Sequence, residues 1–102
     1  MAALVSAAAL ASSCSARKAS PQVHQVAIRD MQFVPAELSV AKGDEIVWTN
    51  EDYFPHTATA AGVFDSKTIE SKHQWRYRAQ QTGEIPYVCT LHPTMKARLV
   101  VR

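Results

Sequence analysis

Short segments in which apolar and polar side chains alternate follow one another from residue 23 to the end of the chain. Such alternation is typical of β-strands that bury one face and expose the other. Turn-forming residues separate the segments, and none of them shows the helical period of an amphipathic helix. The segments that alternate or are continuously apolar are 23–28, 37–40, 45–49, 72–79, 85–88 and 97–101. This pattern predicts an all-β domain of about seven to eight strands, arranged as an antiparallel sandwich or barrel.

The first twenty residues differ in composition from the rest of the chain. Residues 4–11 form an apolar run that is too short to span a bilayer, and Ser12, Ser13 and Cys14 follow it. This is the pattern of an export signal, although no Lys or Arg precedes the apolar run. The small residues before Cys14 resemble the cleavage site of bacterial lipoproteins, at which Cys14 would carry a lipid anchor; simple cleavage of the signal is the alternative. We therefore predict a leader and linker at residues 1–20 and one domain at residues 21–102. The protein is predicted to be periplasmic or extracytoplasmic, either free or tethered to the membrane.

Residue types that bind metals cluster near the C-terminus. The sequence CTLHPTM at residues 89–95 contains a thiolate, an imidazole and a thioether, and His56 adds a second imidazole 33 positions before Cys89. Copper that cycles between Cu(I) and Cu(II) takes a soft thiolate, two neutral imidazoles and a weak axial thioether. Structural zinc sites prefer four Cys or His ligands without Met. We predict one copper ion bound by His56, Cys89, His92 and Met95. Cys89 is expected to end one strand, with His92 and Met95 in the loop that leads to the next.

Each of these residue types also has an ordinary structural explanation. A lone Cys at the end of an apolar strand is more often a small buried hydrophobe, and a lone Met more often fills a core. The combination of one thiolate, one thioether and two imidazoles is poorly explained in that way. Because Cys89 is assigned to the metal and Cys14 to the leader, we predict no disulfide, although exported proteins often contain one.

The residues around these ligands resemble the plastocyanin and amicyanin group of cupredoxins, the blue copper proteins. The matching stretches are residues 31–35, 40–44, 47–50, 64–66 and 87–89, together with the loop after Cys89. Two residues separate His92 from Met95, which is closer to the amicyanin loop than to the longer plastocyanin loop. The resemblance covers residues 23–102 and implies a cupredoxin-like antiparallel Greek-key β-sandwich. It further implies a small electron carrier with one mononuclear type 1 copper.

The same resemblance implies a role for each ligand. Cys89 would be the strong thiolate ligand, His56 the more buried imidazole, His92 the imidazole nearer solvent and Met95 the long axial contact. We expect these residues to be presented together at one end of a rigid sandwich, which keeps the site nearly unchanged between oxidation states.

Two positions depart from the pattern of the family. Relatives often carry Asn directly after the first His, where this chain has Thr57, and many carry Gly where this chain has Ala97. An Asn at the first position braces the Cys loop, since side chains around metal ligands orient them. We predict that the hydroxyls of Thr57 and Thr90 form an equivalent brace.

A protein partner is predicted, and a nucleic acid is not. The formal net charge of +2 gives no case for nucleic-acid binding. Leu91 and Pro93 flank His92, and Phe54 and Pro55 precede the other ligand histidine. We expect these residues to form an apolar collar around an exposed edge of His92, where a transient redox partner docks. We also expect a monomer without a transmembrane segment in the mature chain.

Three other functions would use some of the same residues. Copper storage or delivery would use the same ligands and would favour Cu(I). A copper enzyme would need further His-rich centres, but the chain has only four histidines, and we place His24 and His73 outside the site as solvent-facing or strand-edge residues. A Cys–His nucleophile lacks an oxyanion partner and leaves Met95 unexplained. We therefore predict an electron carrier that is not an enzyme, with copper storage or delivery as the alternative.

Overall fold

Two β-sheets pack face to face in the computed structural model, which describes residues 20–102. The predicted leader, including Cys14, lies outside the described residues apart from Ser20. None of the described residues belongs to a helix that is long and apolar enough to cross a membrane. The nine strands of this part of the chain are β1 (Val23–Arg29), β2 (Gln32–Val34), β3 (Glu37–Val40), β4 (Glu45–Asn50), β5 (Thr59–Ala60), β6 (Phe64–Asp65), β7 (Gln74–Arg78), β8 (Gly83–Cys89) and β9 (His92–Val101).

The strand order confirms an all-β sandwich but not a fully antiparallel one. The first sheet has the order β2-β1-β4-β7 and the second has the order β3-β9-β8-β5-β6. Strands β1 and β4 are parallel, and so are β3 and β9, so both sheets are mixed, where antiparallel pairing was predicted. The chain crosses from the first sheet to the second between β2 and β3. It then returns to the first sheet as β4, which lies beside β1 and runs in the same direction. The Greek-key order of connections stays a prediction.

Strand length explains why the number of strands was underestimated. Strand β7 alternates as predicted, with Trp75 and Tyr77 partly buried and the side chains between them exposed. By contrast, β5 and β6 have two residues each and β2 has three. Alternation cannot be recognised in segments this short, because they contain at most one full repeat of the pattern.

An aromatic cluster fills the space between the two sheets. Trp48 of β4 is fully buried, and its ring centroid lies 5.3 Å from that of Phe64 and 5.5 Å from that of Tyr87. The indole Nε1–H of Trp48 donates a hydrogen bond of 3.2 Å to Oη of Tyr87. Burial raises the pKa of Tyr87 to about 12, so the phenol stays protonated at neutral pH. This hydrogen bond gives the Trp48 Nε1–H an acceptor inside an otherwise apolar core.

We expect Tyr87→Phe to lower the free energy of unfolding by about 1–3 kcal/mol, because the buried Trp48 Nε1–H loses its acceptor. Denaturant unfolding of the metal-free protein measures this loss. Tyr77→Phe is the matched control, since Tyr77 belongs to the same cluster but is only partly buried. The explanation requires a clearly smaller loss in the control, and equal losses would contradict it.

The two ends of the sandwich carry different residues. At one end, the Asp44 carboxylate accepts a hydrogen bond from the Gln22 N–H and lies 2.8 Å from Nε2 of His24. At the other end, β4 terminates at Asn50, β8 terminates at Cys89 and β9 begins. Strand β1 runs from the first end to the second. The chain therefore enters the domain at the end remote from Cys89.

Candidate metal centre

Three of the four predicted ligand residues meet at one end of the sandwich. The Sγ of Cys89 lies 3.6 Å from Nδ1 of His56 and 3.7 Å from Nδ1 of His92. The ligand atoms of all three residues lie within 4.8 Å of one another. Cys89 and His56 are fully buried, whereas His92 is partly exposed. The structure thus creates a compact group of one sulfur and two nitrogen donors that is closed toward the core and open at His92.

The backbone around each donor explains this arrangement. His56 lies beyond the end of β4 and forms an isolated bridge with Ile69 through hydrogen bonds of 3.2 and 2.7 Å. Cys89 ends β8 and pairs with His92, the first residue of β9. The neighbouring pair is Val88 with Lys96, so residues 93–95 bulge out of the ladder. The expectation that His92 and Met95 lie between strands is corrected, since both belong to β9 at its irregular beginning.

The separation of the donor atoms fits a small metal ion. Thiolates and imidazoles bind such ions at about 2.0–2.3 Å, which places three donors in one plane about 3.5–4 Å apart. The separations from Cys89 to His56 and His92, 3.6 and 3.7 Å, agree with this requirement. One thiolate with two imidazoles is the donor set of trigonal copper sites, whereas structural zinc prefers four Cys or His ligands. The donor group therefore fits a type 1 copper site.

Met95 lies on the bulged segment of β9, three residues beyond His92. Only 4% of its surface is exposed, and its side chain belongs to the hydrophobic core. Together with Met31 and Phe33 it lines a small cavity at the surface. A buried thioether on the segment that carries His92 is suited to a weak axial contact. That role for Met95 remains a prediction.

A network of threonine side chains holds the thiolate loop. The backbone N–H of Thr57 donates to Sγ of Cys89 over 3.3 Å, and the Thr90 N–H donates to Oγ1 of Thr57 over 2.9 Å. The two threonine hydroxyls lie 3.1 Å apart, and the Thr59 hydroxyl donates to Oγ1 of Thr57 over 3.0 Å. The predicted hydroxyl brace between Thr57 and Thr90 is confirmed. It joins the segment after His56 to the segment after Cys89.

We expect Thr57→Val to destabilise the protein by about 1–2 kcal/mol, because the Thr90 N–H loses its acceptor, whereas the Thr59 hydroxyl can still donate to Oδ1 of Asp65. The main-chain donor to Cys89 is retained, so the absorption of the copper-loaded protein should change little. Thermal unfolding and the visible spectrum measure the two effects. Thr59→Val, which removes only the outer hydroxyl, should cost less. A Thr57→Val variant as stable as the original protein would contradict a bracing role.

The His56 ring has a carboxylate partner that the sequence pattern did not indicate. Its Nε2 lies 2.9 Å from Oδ2 of Asp52, on the side of the ring opposite to Cys89. Partial burial raises the pKa of Asp52, but hydrogen bonds from the Met31 N–H, His56 and the Asp30 N–H outweigh it, so the net shift is downward. Asp52 precedes His56 by four positions in a loop, where sequence spacing does not determine which side chains meet.

Asn50 organises the loop that carries Asp52 and His56. Its side chain is fully buried, and its Nδ2 donates to the carbonyl oxygens of Phe54 and Ile69 over 2.8 and 3.0 Å. Its Oδ1 accepts from the Asp52 N–H over 2.9 Å. A short polar side chain at the end of a strand commonly supports a turn in this way. This role of Asn50 was not predicted, since an Asn after a strand usually indicates only a turn.

The other two histidines do not take part in this donor group. His24 lies near the opposite end of the sandwich, where its Nε2 contacts Asp44. His73 is exposed, and its Nδ1 lies 3.1 Å from the carbonyl oxygen of Ser71. Within residues 20–102, the only group with three potential metal donors is formed by His56, Cys89 and His92.

Large apolar side chains are exposed in the two segments that carry the histidine donors. Tyr53 is 86% exposed and Phe54 is 58% exposed just before His56, and Leu91 is 49% exposed just before His92. Lys72 Nζ lies 5.1 Å from the Tyr53 ring centroid. Exposed apolar side chains thus precede both histidine donors in the sequence, and His92 itself is partly exposed.

Comparisons with known proteins agree with this description. A family model for a cupredoxin-like domain matches residues 1–101. The chain is 29% identical over 83 residues to amicyanin-alpha of Methylorubrum extorquens, a match that covers 76% of this chain and 70% of that protein. It is 30% identical over 82 residues to the amicyanin of Paracoccus denitrificans, covering 74% and 63% of the two chains.

Solved structures give the same result for the fold. A Cu(I) form of an amicyanin variant aligns with a TM-score of 0.75 at 28% identity, covering 86% of this chain and 89% of that one. Another amicyanin variant, also in the Cu(I) state, aligns with a TM-score of 0.74 at 27% identity, covering 78% and 82%. The strand arrangement is thus shared with proteins whose copper-bound structures are known.

Proposed function

Because the chain belongs to the cupredoxin-like family, we propose that it is a small electron carrier with one copper ion held by His56, Cys89, His92 and Met95. The observation that supports this most directly is a buried thiol with an imidazole Nδ1 at 3.6 Å and another at 3.7 Å. Copper at such a site supplies one-electron chemistry by alternating between Cu(I) and Cu(II).

The residues around the donors are suited to hold one geometry in both oxidation states. His56 is connected by its backbone to Ile69 and by its ring to Asp52. Cys89 is fully buried, receives the Thr57 N–H and is thereby shielded from water. A donor set that is already in place needs little reorganisation when the charge of the ion changes, and small reorganisation favours fast electron transfer.

His92 is the proposed point at which electrons enter and leave. It is the one imidazole donor with an exposed edge, since His56 is completely buried. The exposed side chains of Tyr53, Phe54 and Leu91 supply an apolar surface of the kind that transient protein partners contact. We propose that redox proteins dock there, and that the chain acts as a monomeric carrier and not as an enzyme.

The place where the chain enters the domain determines how a lipid anchor on Cys14 would orient the protein. Ser20 lines a surface cavity with Lys42 and Arg102 at the end of the sandwich remote from Cys89. A lipid on Cys14 would lie only six positions before Ser20. If the protein is exported and tethered in this way, the copper end faces away from the membrane and is accessible to partners. Simple cleavage of the leader would give the same domain without the tether.

The visible spectrum of the protein loaded with Cu(II) tests this proposal. We expect an intense blue band from thiolate-to-copper charge transfer, which disappears with a reductant and returns with an oxidant. Reversible bleaching is the decisive part, because a carrier must be stable in both states. A colourless protein that binds Cu(I) or zinc tightly would contradict electron transfer and favour copper storage or delivery.

A further inference from the structure

We infer that the end of the sandwich opposite the proposed copper site is a docking surface for the anionic headgroups of a phospholipid membrane. This entry end, at which the chain enters the domain, consists of residues 20–24, 41–45 and 78–79 together with Arg102. None of the proposed copper ligands belongs to the entry end, so the membrane contact goes beyond the proposed function. It does not require a lipid on Cys14.

Main-chain hydrogen bonds hold the segments of the entry end together. The Gly43 N–H donates to the Ala79 carbonyl oxygen over 2.8 Å, and the Lys42 N–H donates to the Arg102 carbonyl oxygen over 3.1 Å. A surface cavity of about 640 Å³ lies between the segments, with Ser20, Lys42 and Arg102 among the residues that line it. Because these hydrogen bonds use only main-chain atoms, the side chains of Lys42 and Arg102 can be replaced without losing them.

Positive side chains without an ion-pair partner are concentrated at the entry end. Of the nine Lys and Arg side chains in the described part of the chain, four belong to ion pairs and five do not. Three of these five, Lys42, Arg78 and Arg102, are exposed at the entry end. By contrast, two exposed carboxylates outside the ion pairs of the described residues, Asp30 and Glu70, lie toward the copper end. The domain is therefore electrically polar, with its positive end remote from Cys89.

The carboxylate that lines the cavity has its own donors. Oδ1 of Asp44 accepts from the Gln22 N–H over 3.0 Å. Its Oδ2 accepts from the Ala41 N–H over 3.0 Å and lies 2.8 Å from Nε2 of His24. These hydrogen bonds, that from Gln22 first, lower the pKa of Asp44 to about 2. The carboxylate is ionised at neutral pH, but its charge is directed to donors of the protein. Asp44 therefore competes little with an anion for the exposed cations.

The sequence before the entry end favours a membrane over a soluble anion as the occupant. Lys18 and Arg17 stand two and three positions before Ser20 and add two positive charges to the connecting chain. The apolar run at residues 4–11 and Cys14 precede them. Six residues of extended chain span at most about 22 Å, so an anchor at position 14 would keep the entry end close to the headgroups. A cluster of Lys and Arg next to a membrane anchor is typical of binding to anionic lipids.

The dimensions of the domain determine which end feels the membrane. Strand β8 runs from the entry end to Cys89 over seven residues, about 20 Å at about 3.3 Å per residue. The potential of an anionic leaflet falls off within a Debye length, about 8 Å at physiological ionic strength. The membrane therefore attracts the entry end and leaves the copper end outside its field. A docked protein directs His92 away from the lipid surface.

Binding to lipid vesicles tests the membrane contact. We expect the full chain to prefer vesicles that contain phosphatidylglycerol over vesicles of phosphatidylcholine alone, and high salt to remove the preference. Lys42→Gln combined with Arg102→Gln should weaken binding to the anionic vesicles by about 25-fold, about fivefold for each charge removed. Every variant keeps the same leader, so binding through the leader cancels from the comparison.

Lys67→Gln combined with Lys72→Gln is the matched control. It removes two exposed positive charges that lie outside the entry end, and it should weaken binding by less than about threefold because of screening. Equal losses in the two double variants would show an effect of net charge alone and would overturn the docking surface. A Lys42 and Arg102 double variant that binds as tightly as the original protein would also overturn it.

The orientation of the bound protein gives a separate result that needs no variant. A lipid with a spin label on its headgroup, added to small anionic bicelles, should broaden the NMR signals of the Lys42 and Gly43 amides and leave that of Thr90 sharp. Broadening mainly at Thr90 would overturn the inference. Amide shifts at Lys42 and Gly43 with inorganic phosphate, without any preference for anionic vesicles, would assign the cavity to a soluble anion and overturn it as well. A protein that docks in this way but shows no blue copper band would contradict only the proposed function.

Discussion

Cys89→Ser is expected to abolish the blue band completely and to weaken Cu(II) binding by more than about 100-fold, more than the loss of a residue that only supports a ligand. The band requires a thiolate, and Cys89 is the only cysteine among the described residues. Serine is nearly isosteric and can still accept the Thr57 N–H, so the fold should survive. The measurements are the visible spectrum after addition of Cu(II) and the circular dichroism of the same sample.

The second cysteine of the chain provides the control for this variant. Cys14 lies in the predicted leader, and Cys14→Ser should keep the full intensity of the band. A blue Cys89→Ser protein would exclude the proposed site. Loss of colour together with loss of the β-sheet spectrum would point to unfolding, and Cu(I) competition with the folded fraction would then decide whether the thiolate is a ligand.

Asn50→Ala is expected to lower the free energy of unfolding by about 2 kcal/mol or more, because two hydrogen-bonding groups lose their partner at about 1–3 kcal/mol each. These groups are the carbonyl oxygen of Phe54 and the N–H of Asp52, while the carbonyl oxygen of Ile69 keeps only the His56 N–H. Small domains are stable by only about 5–15 kcal/mol, so the loss is a large fraction of the total. Denaturant unfolding of the metal-free protein measures it.

The same variant should also affect the site. Asn50 holds the loop in which Asp52 and His56 lie, so its loss should broaden the range of His56 orientations and weaken copper binding. Thr49→Ala is the matched control on the preceding residue, whose hydroxyl accepts from the exposed Gln74 side chain. It should cost less than about 1 kcal/mol. If Asn50→Ala is as stable as Thr49→Ala, the loop is held by other contacts.

Most of the site could be predicted because the metal preference of a site follows from the types of residue that bind the metal. A thiolate, an imidazole and a thioether within seven residues restrict the metal strongly, and His56 supplies the second imidazole 33 positions before Cys89. The structure then placed three of these donors together. The hydroxyl brace was predictable for a similar reason, since Thr57 replaces a residue whose supporting role in the family is known.

The groups that orient His56 could not be predicted in this way. Asp52 and Asn50 are ordinary loop residues in the sequence, and their importance appears only from the atoms they contact. The parallel pairing of β1 with β4 was missed for a related reason. Local alternation shows that a segment is a strand, but it does not show which strand lies beside it.

The sequence by itself determined the strand-rich class of the domain, the kind of metal and the four candidate ligands, because side-chain periodicity and donor softness are local properties of the chain. Only the tertiary structure decided that β1 and β4 are parallel, that the chain enters opposite the site, and that Asp52 holds His56. These features depend on contacts between residues distant in sequence or within an irregular loop. Such contacts arise from packing the whole domain, and no single segment specifies them.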